Sequence, residues 1–213
     1  MVYNMTKGRP LTHSREKLLD KGIELFHQHG YHGTSLSAIL EACQVSKGSF
    51  YNFFSSKEEY AVEILAHYQA LEIDRWNQEF AQLQGTHAEK IRRAILLSIE
   101  QHDQASENLG CLIAHLSGEI GNASSGFRNA IRRATQRVIE LIAEDMRICQ
   151  LEGSVRQDLP AETLAILIWD NWQGALLRMK VENTTQPLQQ SLSLLWDYVL
   201  PPASKGTKDI QIS

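Results

Sequence analysis

Apolar side chains recur every three or four residues along most of this chain, the spacing that places them on one face of an α-helix. Because alternating strand patterns are nearly absent, the pattern predicts an all-α fold of about nine helices. Three short helices come first, and the turn at Gln44 and Val45 separates the second from the third. Residues that cap helix N-termini open each of them, namely Ser14, then Thr34 or Ser35, then Ser46.

Longer helices are predicted after residue 56. Capping boxes open the fourth and fifth helices, at Ser56-x-x-Glu59 and Thr86-x-x-Glu89. A short apolar helix over 109–120 follows, and a long helix then runs from residue 124 or 125 to near Gly153. Proline is favoured at the first position of a helix, so the two remaining helices are expected to begin at Pro160 and Pro187.

The predicted helix over 161–179 is apolar around most of its circumference, so it must be buried on all sides. In a domain of this size, that pattern indicates the chain's own core on one side and a partner chain on the other. Together with the last helix it predicts the four-helix interface of a homodimer. The expected interface residues are Leu164, Ile168, Leu176, Leu192, Leu195 and Trp196.

Composition narrows the class of protein. The chain has 213 residues, of which 43% are apolar, but no apolar run approaches the roughly 20 residues of a membrane span. Its polar N-terminus lacks a signal-peptide pattern, so a cytoplasmic protein that does not enter a membrane is predicted. The three cysteines are far apart and form no C-x-x-C motif, so neither a metal site, a cofactor nor a disulfide framework is expected. His27 and His29 are interpreted as surface residues near a helix end.

Charge is distributed unevenly along the chain. Residues 1–60 carry seven basic and six acidic side chains, whereas the remainder carries 14 basic and 19 acidic ones. The relative enrichment of positive charge at the N-terminal end is consistent with nucleic-acid binding there. We therefore divide the chain into a flexible basic arm (1–13), a helix-turn-helix domain (14–56), a ligand-binding and dimerisation domain (57–200) and a disordered tail (201–213).

The third helix carries the polar side chains expected of a DNA-reading helix. Ser46 and Lys47 lie at its N-terminal end, where backbone amides favour phosphate, and Asn52 can pair with adenine in the major groove. Phe50 and Phe54 are expected in the core. Arg9 in the arm is open to two interpretations, a minor-groove contact or a solvated charge.

A longer run of residues resembles the TetR (tetracycline-repressor) family of bacterial regulators. The matching residues are Gly30-Tyr31, Thr34-Ser35, Ile39, Ala42, Val45-Ser46-Lys47-Gly48-Ser49-Phe50-Tyr51, Phe54 and Lys57. The resemblance implies a dimer with a three-helix DNA-binding head and a helical ligand-binding body, which binds a palindromic double-stranded operator and is released by an effector. The DNA-binding residues it implies, with those above, are Thr34, Ser35, Ser46, Lys47, Ser49, Tyr51, Asn52 and Lys57.

The body resembles a narrower branch, the repressors that respond to acrylate, N-ethylmaleimide and other electrophiles. The similar segments are Gly110-Cys111-Leu112 followed by Glu119, and Trp172-Gln173-Gly174-Ala175-Leu176-Leu177-Arg178-Met179-Lys180. The resemblance implies that Cys111 and Lys180 sense a small-molecule or electrophilic effector. His115 is four residues after Cys111, so its imidazolium is expected to face the thiol and lower its pKa. Trp169 and Trp172 are candidates to line the ligand site.

Other interpretations stay open at this point. Cys111 can also be a small buried thiol, Lys180 a solvated charge and the tryptophans simply core. A cysteine-based enzyme would use Cys111 and His115 as nucleophile and base, but no third orienting residue is identifiable and the helix-turn-helix would have no purpose. An effector-less DNA-binding or interaction protein is the remaining class.

Overall fold

The computed structural model describes residues 15–104, 110–120 and 124–202, which form nine α-helices and one π-helical turn. Within these residues the predicted all-α fold is confirmed. The bounds are α1 Arg15–Gly33, α2 Leu36–Cys43, α3 Lys47–Tyr51, α4 Lys57–Gln82, α5 His87–Gln104, α6 Leu112–Ile120, α7 Ser125–Leu151, α8 Ala161–Glu182, α9 Gln186–Leu194 and the π turn Leu195–Val199. The predictions for the arm, Ser14, Arg9 and residues 203–213 lie outside the described residues.

Local capping chemistry builds the three-helix head. The side chains of Ser35 and Ser46 accept hydrogen bonds from the amides of Ala38 and Ser49, each at 3.1 Å, and so begin α2 and α3. Gln44 ends α2 in the left-handed conformation, with a φ of 54°. The predicted turn is therefore confirmed, and α3 is held directly after it.

The end of α1 differs from the prediction. Glycine is typical of a helix C-cap, so Gly30 predicts the end of the first helix, but the helical segment runs on to Gly33 across a kink at Gly30. The φ of Gly30 is 68°, a conformation that glycine adopts without steric cost and other residues adopt rarely. The kink points the amides of Tyr31 and His32 out of the line of α1, towards the body.

The body helices begin largely where the capping residues predict. Thr86 and Glu89 form a reciprocal capping box, with bonds of 2.9 and 3.3 Å. The amide of Glu59 donates to Ser56 at 3.0 Å, but the Glu59 carboxylate accepts from the amide of Ser55 rather than of Ser56. Pro160 is the N-cap of α8 and not its first residue, so this helix begins one residue later than predicted. The short helix α6 begins at residue 112, later than the predicted start at 109.

One hydrophobic core joins the head to the front of the body. It contains side chains of α1, α2 and α3 together with side chains of α4, α6 and α7. Tyr60 of α4 lies among the head's aromatic rings, 5.2 Å from Phe50 and 4.8 Å from Phe54, and its hydroxyl donates to the carbonyl of Leu18. Phe50 and Phe54 are buried, as predicted. Two further clusters fill the rear of the body around α5, α7, α8 and α9.

The exposed apolar face of α8 and α9 is not the one that the sequence suggested. Leu164, Ile168, Leu176, Leu192 and Leu195 are buried in the chain's own core, and Trp196 is half-buried, so they have little surface to offer a partner. The large apolar side chains that remain exposed in this part of the chain are Ile166, Leu167, Leu177 and Val181 on α8, Leu194 at the end of α9 and Tyr198 in the π turn. This correction follows from the all-round apolar character of α8, which hides the direction of its inner face. None of the described helices is long and apolar enough to cross a bilayer.

Candidate DNA interface and effector site

The candidate DNA interface is the outer surface of α2 and α3. Lys47, Tyr51 and Asn52 are exposed on α3 and at its C-cap, and Tyr51 keeps 44% of its surface accessible. The Lys47 ammonium lies 6.0 Å from the centre of the Tyr51 ring, so the two side chains occupy one patch. Ser46 and Ser49 lie beside that patch, with their hydroxyl oxygens 2.9 Å apart. Ser35 is exposed at the start of α2.

Two residues of the predicted DNA-binding set are engaged inside the chain. Thr34 is fully buried, and its hydroxyl donates to the carbonyl of Gly30 at 2.7 Å. The Lys57 ammonium donates to the carbonyl of Tyr31 at 2.6 Å and lies 4.0 Å from the centre of that ring. Burial lowers the pKa of Lys57. The buried Thr34 side chain cannot reach DNA, which corrects that prediction, whereas Lys57 is partly exposed and its DNA contact stays a prediction.

The candidate effector site begins at Cys111, the residue before α6. The Cys111 carbonyl accepts from the amide of His115 at 3.0 Å, so Cys111 occupies the N-cap position of that helix. Its thiol is approached by the amides of Ile113 and Ala114 and by the side chain of Gln173 from α8. Cys111 also packs against the rear core near Trp172.

The pKa of the Cys111 thiol is raised, which corrects the expectation that His115 would lower it. Burial is the main cause, and the facing amides and the Gln173 side chain only reduce the rise. His115 is not among the groups that shift the pKa of Cys111, and burial and the neighbouring charge of Lys180 lower the pKa of its own imidazole. The thiol is thus stored in its neutral, less nucleophilic form.

His115 and Lys180 meet although 65 residues separate them. The Lys180 ammonium and the His115 Nδ1 are 3.1 Å apart, with the ammonium as donor. Lys180 is exposed near the C-terminal end of α8, whereas Trp169 and Trp172 on the same helix are half-buried. Of the five predicted sensor residues, the structure brings His115 and Lys180 into contact and places Cys111 at the N-cap of α6, one turn before His115.

His27 corrects a further prediction, because it is buried rather than on the surface. Only 8% of its surface is accessible, and its Nδ1 has no hydrogen-bond partner among the described residues. Burial and the charges of His115 and Lys180 lower the pKa of His27 to about 4. Its ring contacts that of Tyr68 edge to face, at 5.6 Å between centres. A residue of the head's first helix therefore belongs to the surroundings of the sensor residues.

Sequence reasoning did not find the roles of His27, Tyr68 and Gln173. Each lies on a different helix from Cys111, and no local motif links them. Gln173 was visible in the Trp-Gln-Gly run, and its Oε1 is the second buried side-chain oxygen or nitrogen without a partner in the described residues. Tyr68 is held near Cys111 by the amide of Leu112, and burial raises its pKa.

Surface hollows lie away from the sensor residues. One of about 310 Å³ lies beside Lys17, Lys21 and Cys43, and another of about 430 Å³ lies along α9 near Tyr198. Across residues 15–104, 110–120 and 124–202, the acidic, histidine and cysteine side chains form no group of three or more suited to a metal ion.

Two models of known protein families match separate parts of the chain. Residues 18–64 match the family described as bacterial regulatory proteins, tetR family. Residues 87–195 match the family described as Tetracyclin repressor-like, C-terminal domain. The chain therefore belongs to the tetR family of bacterial transcriptional regulators.

Several relatives are similar over nearly their whole length. The transcriptional repressor DhaR of Mycobacterium sp. strain GP1 is 31% identical over 198 residues, covering 88% of this chain and 92% of DhaR. The repressor NemR of Escherichia coli K12 is 28% identical over 190 residues, covering 89% of this chain and 96% of NemR. The crystal structure of reduced E. coli NemR superposes with a TM-score of 0.81, covering 89% of this chain and 98% of that one. Since these relatives are transcriptional repressors, the enzyme alternative does not hold.

Proposed function

We propose that this protein is a homodimeric repressor that binds a palindromic operator in the bacterial cytoplasm and is released by a small molecule that acts at Cys111, His115 and Lys180. The observation that carries the effector part is the contact between Lys180 of α8 and His115 of α6, one turn from the Cys111 thiol. A thiol and a cation that can pair with an anionic group thus lie at one junction of helices.

The DNA part rests on the exposed patch of Lys47, Tyr51 and Asn52. Lysine and tyrosine side chains there suit phosphate contacts that set register, while Asn52 suits an adenine edge. A helix-turn-helix protein reads two half-sites with two heads, so the exposed apolar face of α8 and α9 is proposed to pair two copies. Tyr198 and Val181, each 79% exposed, lie on that face.

Two effector chemistries are compatible with this site. In the first, the Cys111 thiolate adds to the carbon–carbon double bond of an electrophile, forming a carbon–sulfur bond while the neighbouring carbon takes up a proton. In the second, an unsaturated carboxylate binds without reaction and pairs with Lys180. Because the pKa of Cys111 is raised, the first chemistry should accelerate as the pH rises and the thiolate fraction grows.

The test is fluorescence anisotropy on DNA that flanks the protein's own gene, with N-ethylmaleimide or acrylate added. We expect salt-sensitive binding that one of these compounds reverses. Cys111→Ser should abolish release by N-ethylmaleimide and largely preserve release by acrylate. Cys43→Ser is the matched control, because Cys43 is also partly buried but lies in the head, away from the sensor residues.

Other results would remove parts of the proposal. Tight binding that neither compound reverses would exclude an effector site that accepts these compounds and favour a DNA-binding protein without such an effector. Release by N-ethylmaleimide that persists in Cys111→Ser would assign the sensing thiol to another cysteine. A protein that remains monomeric under binding conditions would contradict the proposed dimer.

A further inference from the structure

Glu119, at the last turn of α6, makes a two-pronged contact with the head. Its Oε2 accepts a hydrogen bond from the amide of Tyr31 at 2.7 Å, and its Oε1 accepts from the amide of His32 at 2.6 Å. These amides follow the kink at Gly30, and they begin a helical segment that would otherwise leave them without acceptors. A carboxylate from the body thus caps part of the head, 87 and 88 residues away in sequence.

The surroundings are shaped around this contact. A side chain at Gly30 would overlap the Glu119 carboxylate, and the φ of 68° also disfavours one. Lys57 of α4 binds the Tyr31 carbonyl at 2.6 Å, and its charge interacts with Glu119. The Tyr31 ring packs edge to face on Phe127 of α7, at 5.0 Å between centres. Four helices therefore meet at Tyr31.

The same short helix carries the sensor residues at its other end. Cys111, His115 and Glu119 are spaced four residues apart, so they lie along one side of α6. The distance from the first to the last is roughly 12 Å along the helix axis. His115 holds Lys180 of α8 midway along this row. A displacement of α6 at Cys111 must therefore shift the carboxylate that the head depends on.

We propose that Glu119 couples the body to the DNA-binding head, with α6 as a rigid link that transmits a change at Cys111 to the amides of Tyr31 and His32. Glu119 is a positioning residue, because it acts on the orientation of α1 rather than on DNA or effector. The inference deepens the proposed function and rests on it only for the identity of the signal. The coupling itself can be measured with neither effector nor operator.

The first experiment measures amide hydrogen exchange at Tyr31 and His32 in the free protein. Cys111→Phe, which enlarges the side chain at the start of α6, should accelerate exchange of these amides about tenfold. Glu119→Gln should accelerate it as well, and adding Cys111→Phe to that variant should change it no further. Glu100→Gln, an exposed carboxylate on α5, is the matched control and should leave it unchanged. Unchanged exchange in Cys111→Phe would overturn the proposal.

The second experiment adds a functional readout that a merely structural role would not move. Operator affinity is measured for the wild type, both single variants and the double variant. The loss caused by Cys111→Phe should be about tenfold smaller when Glu119 has been replaced by Gln. Equal losses in both backgrounds would overturn the coupling. Should Cys111→Phe or Glu119→Gln melt early, Cys111→Met and Glu119→Asp replace them, since they change size or reach by less.

Failure of the coupling and failure of the proposed function give different results. Without coupling, N-ethylmaleimide or acrylate would still release the wild-type protein from DNA. The exchange rates of the Tyr31 and His32 amides would then be the same in Cys111→Phe and in the wild type. Without the proposed effector response, neither compound would release the protein, while exchange and the variant cycle would still show the link between residues 111 and 119.

Discussion

The junction between head and body and the face of α8 and α9 differ in what they leave open. At the junction, the Glu119 carboxylate and the Lys57 ammonium satisfy the amides and the carbonyl at the kinked end of α1. On the face, Leu177 and Val181 keep 66% and 79% of their surface accessible. Exposed apolar surface of this kind marks an interaction site. The polar groups at the junction are paired within one chain, whereas the apolar face stays exposed and is the surface proposed above to pair with a second copy.

Leu177→Glu should have the largest effect, because it places a charge on the exposed apolar face of α8 and α9. We expect the dimer to dissociate and operator affinity to fall by about a hundredfold, since each head then binds its half-site alone. Sedimentation and anisotropy measure the two effects. Leu151→Glu, at an 88% exposed position at the end of α7, is the control and should change neither. A Leu177→Glu protein that stays dimeric would show that the face serves another purpose.

Gly30→Ala tests the closed side of the comparison. The added methyl group overlaps the Glu119 carboxylate, and the alanine must keep a positive φ. We therefore expect a loss of roughly 2 kcal/mol in the free energy of unfolding. Urea denaturation measures it. Gly174→Ala is the matched control, because nothing lies within 4 Å of a methyl group there. Equal stability of the two variants would mean that the junction relaxes without cost.

His27 makes the closed junction sensitive to acid. Its pKa is 6.5 in the unfolded chain and about 4 in the folded one. The unfolded state therefore binds a proton first as the pH falls through this interval, and stability is lost from about pH 6.5 downwards. The groups that face His27 are His115 of α6, Lys180 of α8 and Tyr68 of α4.

We expect this loss to reach about 2 kcal/mol at pH 5 relative to pH 7.5. Urea denaturation at both pH values measures it, and His27→Gln should remove that part of the pH dependence. His29→Gln, an exposed position on the same helix, is the control. An identical pH dependence in wild type and His27→Gln would contradict the assignment.

Lys47→Ala should have the smallest effect, and it tests a third surface, the candidate DNA interface of the head. Lys47 is exposed on the candidate DNA interface, so its loss should leave the melting temperature unchanged. Operator affinity should fall by about tenfold for all sequences, and the salt dependence should weaken by about one phosphate contact per head. Lys90→Ala, on α5 of the body, is the control. A change in stability without a change in affinity would indicate that Lys47 makes contacts within the chain, as Lys57 does with Tyr31.

Local chemistry explains which parts of the fold the sequence could predict. At Ser35, Ser46 and Thr86, the hydroxyl of the capping residue accepts a hydrogen bond from the amide three residues later, so the residue type that begins the helix is visible in the sequence. The buried side of α8 could not be predicted, because a helix that is apolar all round has no polar face to show which side points to solvent. The interface residues were therefore assigned to positions that are buried in the chain itself.

The candidate site shows the same limit from another side. The family resemblance points to Cys111 and Lys180, and helical spacing points to His115, but the raised pKa of Cys111 follows from burial that the sequence does not reveal. His27 lies near the predicted end of a helix and before the polar residues Gln28 and His29, which suggests a surface side chain, yet it is buried against Tyr68. Contacts between α1, α4, α6 and α8 depend on tertiary packing, which a single sequence encodes only through side chains distant along the chain.

The aromatic core that Tyr60 shares with Phe50 and Phe54 limits how this regulator can be rebuilt. A chimera joined at residue 56 would replace Tyr60, so the rings of Phe50 and Phe54 would lose a packing partner and the first three helices would lose part of their hydrophobic core. Transplanting the operator specificity of this protein onto another sensor therefore requires grafting α4 along with the head, and matching the new α6 and α7 to it. Because this core crosses residue 56, we expect specificities to be exchanged more readily by point substitution than by recombination at the end of the helix-turn-helix.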